Sequence, residues 1–157
     1  MRIIIIYFTQ KSLKMEIRNK IKASGLKATP QRRAVYEVMQ ELGHCSIDEV
    51  IARVRALNPD ITVSTIYRIM DSFCQVGLLS RFIGVTGKTI FDITPEEHHH
   101  IFTAQNTIVD IEDKQLTEMI RQRLMAGIPA NEEIGQISIH IVTKSKNSSN
   151  EKENINI

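Results

Sequence analysis

The sequence is short of cysteines, short of aromatics and without a long apolar run, and each shortage closes off a class of protein. Its two cysteines, Cys45 and Cys74, lie far apart and form no C-x-x-C pair. That excludes a framework of several disulfides and any zinc site made of four cysteines from one chain. The apolar stretch at the start, Ile3 to Phe8, is far shorter than the ~20 residues of a membrane span. It also falls below the ~7–15 residues of a signal-peptide core, and no small-residue cleavage site follows. A cytoplasmic protein with no membrane partner is expected, and Met15, just before a helix-like run, is an alternative start. Aromatics make up 5% of the 157 residues, yet 42% are hydrophobic, which is too many for general disorder. The length fits one ordinary domain or two small ones, and no internal repeat is visible.

What is present is unevenly distributed. The net charge of +2 divides into 14 Lys+Arg against 8 Asp+Glu in residues 1–93, and 6 against 10 in residues 94–157. A basic first half suits a polyanion, and an acidic second half suits cations or a partner.

Helical periodicity begins at residues 14–24, with Ile17 and Ile21 on one face. Thr29-Pro30 is a helix start, with Thr as N-cap and Pro at N1, and the run through Val35, Val38, Met39 and Leu42 stops at Gly43. Ser46-Ile47-Asp48-Glu49 reads as a capping box ahead of the stripe Ile47, Val50, Ile51, Val54, Leu57. Asn58-Pro59-Asp60 turns the chain, and Thr62 caps a third helix, Val63 to about Gln75, with Ile66, Ile69, Met70 and Phe73 inward. Arg81–Val85 and Lys88–Asp92 read as strands around Thr86-Gly87. Three helices and a β-hairpin are the order of a winged helix-turn-helix. After a polar hinge at Pro95-Glu96-Glu97, the strands His98–Phe102 and Thr107–Ile111, a helix capped by Asp113 with Leu116, Ile120 and Leu124 on one face, and an alternating segment Gln136–Thr143 predict a small α/β unit that needs a partner subunit. The expected α+β architecture is thus residues 1–13 as an N-terminal extension, 14–93 as an N-terminal winged helix-turn-helix domain, 94–97 as hinge, 98–144 as a small α/β dimerisation domain, and 145–157 as a disordered tail.

The third helix can enter a major groove. Ser64 and Thr65 stand at its N-terminal end, where backbone N–H groups favour phosphate, Tyr67 offers a ring and a hydroxyl, and Arg68 can meet phosphate or a guanine edge. Arg32, Arg33 and Lys88 can anchor the DNA backbone on either side. In an extended segment His98 and His100 share a face, about 6.5–7 Å apart at the backbone, while His99 points away. With carboxylates at Asp92, Glu97 and Asp110 nearby, imidazole plus carboxylate suits Fe(II), Mn(II) or Zn(II). A metal-dependent hydrolase and a metal-independent winged-helix regulator are the competing readings. The first lacks an obvious general base with a substrate pocket.

The run Leu26-Lys27-Ala28-Thr29-Pro30-Gln31-Arg32-Arg33, then His44, Ser64-Thr65-Ile66-Tyr67-Arg68, Gly77-Leu78-Leu79, Phe91-Asp92 and His98-His99-His100, resembles the ferric uptake regulator family from about residue 14 to 143. The resemblance implies a homodimeric, metal-dependent repressor that binds a palindromic double-stranded DNA operator. It implies a regulatory Fe(II) or Mn(II) ion, with Zn(II) as a further option, on His44, Asp92, His98, His100 and Asp110. Aspartate at position 110 looks like the peroxide-sensing branch of that family, with His44 or His98 as the residue oxidised. The sequence also departs from the family. The C-x-x-C pairs usual there are replaced by Thr103-Ala104-Gln105-Asn106 and Thr143-Lys144-Ser145-Lys146, so no cysteine-ligated structural zinc is expected, and segment 103–110 is one residue short. His140 stands where an aromatic is usual, which leaves a second His-rich site with His99, Glu118 or His140 unsupported.

Overall fold

The computed structural model describes residues 2–145, with side chains from residue 12 onward. The chain divides into two compact units, residues 1–95 and residues 96–157.

The first unit runs α1 (Arg2–Ala23), α2 (Pro30–Leu42), β1 (His44–Ser46), α3 (Ile47–Leu57), α4 (Val63–Gln75), β2 (Ser80–Ile83) and β3 (Thr89–Asp92). Its sheet has the order β1-β3-β2, and both pairings are antiparallel. The expected caps are in place. Thr29 accepts from Arg32 N–H with Pro30 at N1, Ser46 and Glu49 form a complete capping box, and Thr62 accepts from Thr65 N–H. The stripes meet in one core, where Ile17, Ile21, Val35, Val38, Met39, Val50, Val54, Ile66, Met70 and Phe73 are buried. Tyr36 meets Phe73 edge to face, with centroids 5.7 Å apart. Burial of so many aliphatic side chains at roughly 1.5–3 kcal/mol each is what holds the four helices together.

α1 begins at Arg2, within the segment 1–13 expected as an N-terminal extension. No Gly or Pro interrupts Arg2 to Ala23, so the turn anchored by Ile17 and Ile21 propagates toward the start. Residues 44–46, unassigned in the sequence reading, form the third strand of the sheet.

The second unit contains β4 (His99–Phe102), β5 (Ile108–Ile111), α5 (Lys114–Leu124), a 3₁₀ turn (Met125–Gly127) and β6 (His140–Val142). Its sheet order is β5-β4-β6, with β5 antiparallel and β6 parallel to the central β4. Asp113 caps α5 through Leu116 N–H. The expected apolar face of α5 is only partly used: Leu116 and Ile120 are half-buried, but Leu124 is 53% exposed. The alternating segment Gln136–Thr143 pairs as a strand over three residues only; Ile137 is buried, whereas Ile141 is exposed. The tail expected to be disordered lies outside the described residues from position 146.

Candidate metal centre and nucleic-acid interface

In the first unit one glycine sets up the site. Gly43 adopts φ +67°, a conformation that strains any residue with a Cβ. Its N–H donates to Met39 O (2.9 Å) to close α2, and its carbonyl accepts from Ile93 N–H (3.2 Å). The chain therefore leaves α2 directly into β1, whose register sets His44 opposite Asp92. His44 Nε2 lies 3.4 Å from Asp92 Oδ2, with side-chain exposures of 13% and 0%. A carboxylate removed from water needs partners. Thr94 N–H supplies one at Oδ1 (2.8 Å) and His44 faces the other oxygen. Phe82 on β2 packs edge-on against the His44 ring, centroids 6.3 Å apart.

In the second unit His98, just before β4, and His100 on it share one face, as their alternation requires, and both are buried. Their ring centroids are 4.5 Å apart. Asp110 stands opposite His100 on β5, and its Oδ1 lies 3.6 Å from His98 Nε2 and 3.9 Å from His100 Nε2. His98 Nδ1 is 2.7 Å from Glu96 O, and only a nitrogen bearing hydrogen can donate to a carbonyl. With Nδ1 engaged there, Nε2 is the ring nitrogen that faces the Asp110 carboxylate. Two buried imidazoles converging on one carboxylate are a donor set of the kind that fits a divalent transition-metal ion. His99 points to the other face, where its Nε2 meets Thr117 Oγ1 on α5 (2.8 Å). Glu97, read from the sequence as hinge, is engaged inside this unit: it takes both Arg121 NH2 contacts (3.1 and 3.3 Å) and Ile137 N–H (2.7 Å).

Sequence reasoning undervalued His140. The parallel register of β6 sets it beside His100, with ring centroids 5.4 Å apart. Burial first, then His100, pulls the His140 pKa below its ordinary value of 6.5. Its only sequence signal was the alternation of residues 136–143.

The α4 surface is open as expected. Ser64, Tyr67 and Arg68 are exposed and Thr65 is half-buried. The Thr62 hydroxyl lies 3.1 Å from Ser64 Oγ and 2.8 Å from Thr65 Oγ1, a small polar cluster at the helix N-terminus. Lys88 is exposed in the β2–β3 turn, while Arg32 and Arg33 are half-buried. Arg32 spends one donor on Lys27 O (3.0 Å).

A model of the ferric uptake regulator family matches residues 23–141. The chain belongs to that family. This makes it one of the metal-responsive, DNA-binding transcriptional regulators. It is similar to a ferric uptake regulation protein of Bordetella parapertussis, 31% identical over 106 residues, which covers 65% of this chain and 76% of the relative. One from Klebsiella pneumoniae is 29% identical over 111 residues, 68% of this chain and 70% of the relative. Among solved structures, the Vibrio cholerae ferric uptake regulator superposes with a TM-score of 0.64 at 23% identity, over 82% of this chain and 98% of that one. The Campylobacter jejuni peroxide stress regulator gives 0.61 at 23% identity, over 87% and 97%. These two likenesses establish the shared fold.

In this family member hydroxyls tie the segment after β4 to the segments before β5 and after β6. Thr103 Oγ1 and Thr107 Oγ1 are 2.6 Å apart across the β4–β5 turn, and Thr143 Oγ1 accepts from Ala104 N–H (3.2 Å) just after β6. The two cysteines it does carry are packing residues. Cys45 is 3% exposed with Sγ 3.5 Å from Met39 Sδ. Burial, then Glu49 and Asp92, push its thiol up to about 12, and burial also raises Cys74. Neither is a ready thiolate at neutral pH.

Proposed function

We propose that this member of the ferric uptake regulator family is a cytoplasmic homodimer that represses genes of metal homeostasis or peroxide stress, acting by binding rather than by turnover. A regulatory Fe(II) or Mn(II) ion, with Zn(II) as the third option, takes its ligands from His44, Asp92, His98, His100 and Asp110. In the metal-loaded form, α4 reads a palindromic duplex operator through Ser64, Thr65, Tyr67 and Arg68, while Arg32, Arg33 and Lys88 hold phosphates. Exposed Val109, Met119, Leu124, Ile141 and Val142 of the second unit suit burial against a second copy.

The observation that carries the metal assignment is the convergence of two buried imidazoles on one carboxylate: His98 Nε2 and His100 Nε2 lie 3.6 and 3.9 Å from Asp110 Oδ1. When bound, the ion supplies a positive charge at these donors. His44 and Asp92 give the DNA-binding unit a stake in the same charge. Loading then selects the geometry in which two reading helices match two half-sites, and DNA in turn tightens the metal.

The test is operator binding by anaerobic protein loaded with Fe(II), Mn(II) or Zn(II), using duplexes selected from a random pool. Binding should require the metal and fail in His100→Ala. Equal affinity in the presence of chelator, or in His100→Ala with unchanged metal content, overturns the metal switch. Peroxide added to the iron form separates two signals: release with iron alone supports the peroxide-sensing branch that Asp110 suggests, and retention supports metal supply.

A further inference from the structure

His140 shares a sheet face with the ligand set of the second unit. Its Cα partner is His100, and residues directly opposite on neighbouring strands project from the same side. His98, two residues earlier, and Asp110, opposite His100 on the other neighbour, project there too. One face of a three-stranded sheet therefore carries three imidazoles and a carboxylate, one group from each outer strand and two from the central segment.

The spacings suit one ion. With metal–nitrogen bonds of about 2.0–2.1 Å, an imidazole centroid lies about 3.2 Å from the metal, so two rings on one ion sit about 4.5 Å apart at a right angle and about 5.2 Å apart at a tetrahedral angle. His98 and His100 are 4.5 Å apart, and His100 and His140 are 5.4 Å apart. The rings of both pairs meet edge to face, at 66° and 74°, rather than stacked. Ser138 Oγ lies 3.2 Å from His140 Nε2, an outer contact that orients the ring, and an Nε2–H donated to it puts the lone pair on Nδ1. His140 is exposed on an edge strand, so its ring can turn toward an ion without disturbing a core.

We propose that the second unit carries a divalent transition-metal site of its own, in which His140 is a fourth protein ligand beside His98, His100 and Asp110. The proposal rests on the reading of those three as ligands and extends it. Four donors from one unit hold an ion before His44 and Asp92 engage, so metal capture and the DNA-competent state become separate steps.

The probe is Co(II) in the full-length protein under anaerobic conditions, read by its d–d absorption and by competition with a chromogenic chelator. The double variant His44→Ala/Asp92→Asn should still form a Co(II) complex. Replacing His140 by Phe in that background should weaken it about tenfold or more and change the absorption, since a nitrogen donor is lost. A second measurement needs no variant: Zn(II) loading of the native protein should move the ring nitrogen resonances of His140 along with those of His98 and His100. Unchanged Co(II) affinity and spectrum on His140→Phe, or a His140 ring indifferent to Zn(II), overturns the proposal while leaving the other ligands standing. If His100→Ala also leaves Co(II) binding intact, the underlying ligand assignment fails with it.

Discussion

Ser46 serves two elements. It is the last residue of β1 and the N-cap of α3, and its N–H and hydroxyl both donate to Glu49 Oε2 at 2.7 Å. These bonds, the hydroxyl's first, hold the Glu49 carboxyl below its ordinary value of 4.5. A depressed carboxyl stabilises the fold fully above its unfolded pKa and loses that contribution as pH falls through the folded one. Glu49→Gln should therefore be less stable at neutral pH by up to about 1 kcal/mol, the effect kept small by exposure. The gap should close on acidification; melts of both proteins between about pH 3 and 7 would show it. This box was legible in Ser-Ile-Asp-Glu because a cap is a local pattern. The burial of Asp92 was not, because it depends on a partner 48 positions away in the register His44↔Asp92.

At the scale of elements, α4 could be read almost residue for residue. Its cap, its buried face of Ile66, Ile69, Met70 and Phe73, and its stop at Gly77 (φ +69°) are all encoded within one helix. β1 escaped notice because three residues carry no usable alternation, and its existence is decided by pairing with β3. The His44–Asp92 pair of the first unit hangs on that strand, and the strand hangs on the turn at Gly43. Gly43→Ala places a Cβ in the left-handed region and should cost about 1 kcal/mol. It should also disturb His44 more than its neighbours on α2. A chemical denaturation curve checks the first outcome, and the shift of the His44 ring resonances checks the second. In the second unit the sequence showed that His98 and His100 share a face, since alternation alone requires it. It could not show that β6 runs parallel to β4, so the position of His140 was hidden.

For the whole molecule, the contacts that hold the second unit together are separate from the residues expected to hold an ion. Structure in the second unit comes from the β4-centred sheet, the Thr103–Thr107 and Thr143–Ala104 bonds, and the Glu97–Arg121–Ile137 knot. None of these contacts needs an ion. A chelator should therefore abolish operator binding while the protein stays dimeric, as read by analytical ultracentrifugation with and without EDTA. Dissociation on chelation would show that metal also holds the subunits.

The parallel strand has a consequence for how the chain assembles. Antiparallel β4 and β5 can zip from a tight turn, whereas β6 reaches β4 only after the hairpin, α5 and the following 3₁₀ turn have been made. Its pairing closes a long loop with three residues, at a greater entropic cost than the β4–β5 hairpin. A slip of one position would turn His140 to the opposite side. An ion gripped by His100 and His140 would then act as a latch on the end of the fold, selecting the correct register among competing ones.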